Sequence, residues 1–143
     1  MGISADLMVG QVAMVARTIS DADVALFALI TGDHHPLHLD AHYASATHFG
    51  QRIVPAALVS GIIEAALAAT IPGRYAIICE QSLAFVVPML VEDTLTITIT
   101  LTALDRAVDH AHCRVVATRD DGAEVVRGIV TLQIEDLPAF EEN

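Results

Sequence analysis

Four of the seven histidines lie in the run Asp33-His34-His35-Pro36-Leu37-His38-Leu39-Asp40-Ala41-His42, the richest group of titratable side chains in the chain. Two kinds of chemistry fit it. In the first, Asp33 and His38 form a pair that positions and deprotonates a water. Pro36 stiffens the loop between them so that both side chains can turn to one point, and histidine titrates near the pH at which proton transfer is most effective. In the second, His35, His38 and His42, with Asp33 or Asp40, ligate a divalent metal, His38 and His42 sharing one helical face. Against both stands a plain structural use: polar residues on an exposed loop and short helix, with Asp33 and Asp40 only capping. His110 and His112 share one face of a strand and are expected as surface polar residues.

The flanking sequence supplies the elements that must hold this run. Ser20-Asp21-Ala22-Asp23 opens a helix, with Ser20 as N-cap, two acids in the first turn and an apolar body from Val24 to Ile30. Gly32 ends it. Because the residue before a proline is pushed out of helical geometry, 33–38 reads as a loop, and Asp40 then caps a short helix to about Ala46. The stretch Ile53 to Gly73 reads as one helix, with Pro55 in its first turn and Pro72-Gly73 as its stop; its non-apolar side chains between Pro55 and Ile71 are only Ser60, Glu64 and Thr70. A helix so apolar needs a sheet around it. Residues 7–18 read as a strand with Gly10 as a bulge or turn, and 75–87 as a strand ending at Pro88. Strict alternation marks 94–102 as a strand, and 110–119 and 123–134 pair through Asp121-Gly122. The fold class is α+β, an antiparallel sheet around a long central apolar helix, in a single domain spanning 1–143 with an acidic, partly disordered tail from 135 in which Phe140 could dock.

Composition narrows the partners. The chain has 143 residues, 18 acidic against 7 basic, and a formal charge of -11, which disfavours nucleic acid and anionic membranes. The central helix carries Glu64 and falls short of the ~20 strongly apolar residues a membrane span needs. Cys79 and Cys113 have no metal-type spacing and read as reduced structural thiols. The first residues carry no secretory pattern, so a cytoplasmic location is expected. An apolar content of 54% suggests that some apolar surface is buried between subunits.

The run Phe27-Ala28-Leu29-Ile30-Thr31-Gly32-Asp33-His34-His35-Pro36-Leu37-His38 resembles the hydratase motif of the MaoC-like family of R-specific enoyl-CoA hydratases and acyl-thioester dehydratases, in which Gly-Asp-x-Asn-Pro-Leu/Ile-His follows an aromatic-containing helix. Ala41 to Ala46, Phe49-Gly50 and Ile53-Val54 are similar to that family's connection into its central helix, and the later strands fit its hot-dog fold. The resemblance implies Asp33 and His38 as the catalytic pair holding one water. It implies reversible syn hydration of a trans-2-enoyl thioester, of coenzyme A or of an acyl carrier protein, to the (R)-3-hydroxyacyl thioester. It further implies an oxyanion donor in the backbone N–H of Ala56, no cofactor beyond the thioester handle itself, no metal, and a homodimer or dimer of dimers.

Three positions depart from the family pattern: His35 stands where Asn is usual, Pro55-Ala56-Ala57 replaces His-Gly-Met, and Glu64 lies inside the central helix. His35, Ser60 and Glu64 are accordingly candidates for the substrate pocket, Glu64 as a group that would favour a polar acyl chain or, alternatively, one that faces a subunit boundary. Competing readings are a non-catalytic hot-dog subunit that binds a thioester or a partner chain, a hot-dog thioesterase, and a metal-dependent hydrolase. Arg52, Arg74 and Arg127 are the cations expected to meet the phosphorylated handle.

Overall fold

The computed structural model describes residues 6–139. The expectations for the first five residues, for Phe140 and for the end of the acidic tail lie outside them. The elements run β1 (Val12–Thr18), α1 (Asp21–Thr31), α2 (Pro36–Leu39), α3 (Ala41–Ser45), α4 (Ala56–Ala69), β2 (Ala76–Phe85), β3 (Thr94–Asp105), β4 (His110–Thr118) and β5 (Glu124–Ile134). The five strands form one antiparallel sheet in the order β1-β3-β4-β5-β2, so β1 and β2 are its edges.

Alternation decides which sheet face is packed. Leu95, Ile97, Ile99 and Leu101 on β3 and Ala111, Cys113, Val115 and Ala117 on β4 are fully buried, while the intervening threonines of β3 look outward. A slip of one residue would exchange the faces, so this pattern locks the register. Burial holds the Cys113 thiol protonated, its pKa pushed up to about 11, which leaves it a packing residue at neutral pH.

Against this face α4 lays Val59, Ile63, Ala66 and Leu67, a stripe at helical spacing. Each large side chain so buried contributes on the order of 2 kcal/mol. The opposite face of α4, with Ala57, Gly61, Glu64, Ala65 and Ala68, is exposed in the single chain. These residues are mostly small, so the helix reads as apolar all round although the sheet covers only one side.

The helix is shorter than the sequence suggests. Residues 53 and 54 pair instead with the segment before β3: Ile53 bridges to Leu90, and the Val54 N–H donates to the Met89 carbonyl at 2.7 Å. Pro55 explains this, since it disfavours helical geometry at Val54 and itself becomes the N-cap. The other end leaves the helix at Thr70, before Pro72. A second difference lies in 33–38, where Pro36 opens the one-turn helix α2 instead of lying in a loop; its fixed φ suits a first helical position.

Elsewhere the local signals hold. Ser20 and Asp23 form a reciprocal capping box at the start of α1, and the Ser20 N–H donated to the Asp23 carboxylate holds that group below the usual carboxylate range. Gly32 closes α1 in the left-handed conformation, φ 77°, which turns the chain directly into Asp33. Cys79 falls where β2 shifts register against β5, between Ile78 and Glu80.

Gly128 of β5 leaves no room for a side chain against β2. A Cβ there would stand 2.0 Å from the Ser82 carbonyl oxygen and 2.9 Å from the Leu83 Cα, both backbone atoms that can yield only if the strand moves. Gly128→Ala is therefore expected to destabilise the protein by about 3 kcal/mol, read as a lower urea midpoint. A midpoint unchanged from wild type would show that β2 is free to shift.

Candidate active site

Local hydrogen bonds beyond the end of α1 set Asp33, and the segment leading to α4 sets His38. The Asp33 N–H donates to Thr31 Oγ1 at 3.2 Å, just beyond the end of α1, and Asp33 Oδ1 accepts the His35 N–H at 3.3 Å. His38 lies in α2. Its Nδ1 is 2.7 Å from the carbonyl oxygen of Ile53, in the segment leading to α4. A carbonyl can only accept, so Nδ1 carries the proton and Nε2 of the neutral ring presents its lone pair. That Nε2 stands 3.7 Å from Asp33 Oδ2. The His38 side chain is 14% exposed and Asp33 45%, so the pair sits at the mouth of a recess, histidine inward.

Arg52 holds the same turn from behind. Its Nε donates to the His38 carbonyl at 2.7 Å and its guanidinium pairs with Asp21 at 2.6 Å, tying α2 to the start of α1. Arg52 is thus committed to the scaffold, not to a phosphorylated handle. Arg74 lies over the Tyr75 ring, 5.3 Å from its centroid, and Arg127 lies 4.0 Å from Glu124.

His38 opens on a cavity of about 390 Å3, lined among others by Val54, Ala56, Phe85, Met89 and Val125. Apart from His38 its side chains are apolar. A second recess of about 350 Å3 adjoins it across Ala56 and Phe85, and there Gln81 Nε2 lies 3.4 Å from Ser60 Oγ. Ala56 is the first residue of α4, and Pro55 before it has no side chain that can cap. The Leu58 and Val59 N–H groups both turn back to the Pro55 carbonyl, while those of Ala56 and Ala57 have no hydrogen-bond partner among the described residues. Two donors therefore stand at the positive end of a helix, on a residue that lines both recesses, Ala56, and on one that lines the second, Ala57.

The structure brings Asp33, His38 and Ala56 to one place and puts Ser60 in the adjoining recess. It does not bring Glu64 or His35 into either. Glu64 is one turn beyond Ser60, on the exposed face of α4, so a carboxylate in the acyl pocket is not what the fold provides in the single chain. His35 points its Nδ1 at the Leu37 N–H, 3.1 Å away, as the N-cap of α2. Among the described residues, no three His, Cys, Asp or Glu side chains stand close enough together to hold a metal ion, so His35, His38 and His42 do not form the ligand set that their spacing allowed. His112 bonds to Thr131 on the sheet, apart from this region.

The Ile53 carbonyl, Arg52 as a clamp, and Gln81 and Phe85 as lining were not legible as site residues. A backbone carbonyl leaves no trace in residue types, and the position of β2 beside the start of α4 is a tertiary fact.

The model of the MaoC like domain matches residues 9–124. An (R)-specific enoyl-CoA hydratase of Rhodospirillum rubrum is 42% identical over 99 residues, 69% of each chain. A 3-hydroxybutyryl-CoA dehydratase of Methylorubrum extorquens is 36% identical over 121 residues, 85% of this chain and 76% of that one. Among solved structures, an (R)-hydratase from A. caviae superposes with a TM-score of 0.87 at 32% identity, covering 92% of this chain and 99% of the other. No helix among the described residues is long and apolar enough to cross a membrane.

Proposed function

The chain belongs to the MaoC-like dehydratase family, whose fold is the hot-dog fold, and from that membership we propose that Asp33 and His38 hold the water that this protein adds to, or removes from, an acyl thioester. The protein is a hydro-lyase of enoyl and 3-hydroxyacyl thioesters. What supports the assignment to these two residues is the tautomer of His38. With Nδ1 donating to Ile53, Nε2 is an acceptor, and so is the Asp33 carboxylate; two acceptors 3.7 Å apart have no hydrogen bond to share. A water that donates one O–H to each satisfies both and leaves its lone pairs free to attack.

The rest follows from positions. The thioester carbonyl oxygen accepts from the Ala56 N–H at the start of α4, where the enolate charge that develops on attack is stabilised by that donor and the helix dipole. Because His38 lines the apolar cavity, C2, C3 and the acyl chain lie there, and the thioester arm leaves through the recess of Ser60 and Gln81. Water oxygen adds to C3 while a water proton passes to the pair, which returns a proton to C2 from the same side. Addition is therefore syn, and no atom of the step comes from a cofactor. The chain's charge of -11 opposes a phosphorylated coenzyme A and an acidic carrier protein alike, and Arg17, Arg52 and Arg119 are each paired with an aspartate, so neither handle is favoured by charge.

A second copy is expected beside β2. This edge strand exposes Ile77 and Phe85 and leaves a row of unpaired backbone groups, and the small-residue face of α4 is open in the single chain. One preparation tests both statements. Purified protein should consume the enoyl absorbance of trans-2-butenoyl-CoA to give the (R)-3-hydroxy product, and should sediment at about twice its 15.2 kDa. Release of free thiol without hydration would make it a thioesterase; a folded dimer inert on this thioester and on a longer homologue would point to a decorated or carrier-bound acyl group or to a binding subunit.

A further inference from the structure

The same loop holds a histidine that the hydration step leaves unused. The turn α2, four residues long, is too short to hold itself and depends on its end contacts. His35 makes three of these contacts. Its carbonyl accepts the His38 N–H at 3.0 Å, its own N–H donates to Asp33 Oδ1, and its ring Nδ1 accepts the Leu37 N–H at 3.1 Å. Nδ1 is bonded to Cγ, as is the side-chain oxygen of an asparagine, so the ring reaches the same N–H that an asparagine N-cap would. It differs in one respect. The bond requires a lone pair on Nδ1, so the ring must be neutral with its proton on Nε2, and an imidazolium has no acceptor to offer.

We propose that His35 is the positioning residue of the hydratase pair: its neutral ring latches the turn that presents His38, and protonation of His35 opens the latch and lowers turnover. The proposal rests on the Asp33/His38 reading. The groups recorded against the ring are His38, edge-on with centroids 6.1 Å apart, and Tyr43 of α3, also at 6.1 Å, with the Asp33 carboxylate on the backbone side. On this account acid silences the protein twice, once by protonating the water-holding pair and once by releasing the turn.

Two variants separate these events. His35→Asn retains a capping acceptor but does not titrate; His35→Ala has neither property. With trans-2-butenoyl-CoA, the acid limb of the wild-type kcat profile should be steeper than one proton, and His35→Asn should make it shallower and carry activity to lower pH. His35→Ala should lower kcat about fivefold at neutral pH with KM little changed, the cost of a lost cap, and His35→Asn should restore most of that loss. The tautomer is read independently of turnover from the 15N shifts of the His35 ring, with Nε2 protonated and Nδ1 not. A His35→Asn profile that superimposes on wild type, a His35→Ala kcat equal to wild type, or a proton on Nδ1 would each overturn the proposal. Full turnover by Asp33→Asn would sink the underlying reading instead, and the ring spectrum would still decide the cap.

Discussion

Asp33→Asn is expected to lower kcat at least about 10³-fold while leaving KM and thermal stability close to wild type. The substitution is nearly isosteric, and the amide oxygen can still accept the His35 N–H that Asp33 Oδ1 accepts now, so the loop keeps its shape. His38 is held independently, through Ile53 on one side and Arg52 on the other, and should not move. What the amide cannot do is take a proton from water or return one to C2. The loss should therefore fall in the chemical step, with the bound thioester undisturbed. Steady-state assay on trans-2-butenoyl-CoA, with a melt as control, measures it, and activity within tenfold of wild type would mean that hydration does not pass through this carboxylate.

Ala56→Pro removes a different part. Proline at the first helical position fits the fixed φ of that site, and Pro55 before it already has φ -57° and ψ 135°, the extended geometry that a following proline demands. Helix α4 should survive, and Tm should stay within a few degrees. The backbone N–H at 56, however, is gone, and with it the donor assigned to the thioester oxygen. Loss of one such donor costs about 10²- to 10³-fold in kcat. Ala56→Gly, which retains the N–H, separates donor from shape and should keep activity near wild type. A proline variant that folds and turns over normally would place the oxyanion elsewhere, with the Ala57 N–H as the next donor along the helix.

These two positions were unequally visible beforehand. Asp33 and His38 stand out by residue type, since few side chains can move protons at neutral pH and here two sit five residues apart around a proline. Ala56 stands out by nothing of its own. It was reached only by counting along a resembling motif, and its usefulness depends on Pro55 having no side chain to occupy the helix start. His35 was seen and misplaced. A histidine in a polar cluster reads as a group that meets substrate, whereas the structure uses its ring as a cap, because Pro36 opens a helical turn where a loop was expected.

Local chemistry determined much of this protein in advance. Period-2 alternation set the buried face of β3, the Ser20 and Asp23 capping box and Gly32 set the limits of α1, and Asp121-Gly122 set the last hairpin. Each of these depends on residues within a turn or two of one another, and such terms can be read from sequence spacing. The tertiary structure alone decided the rest: the exposed position of Glu64, the turning of His38 Nδ1 onto the Ile53 carbonyl, and the meeting of two recesses at Ala56 and Phe85. Those outcomes depend on backbone groups and on strands distant in the chain. A peptide carbonyl is identical at every position in a sequence, and it acquires a function only when the fold gives it a neighbour.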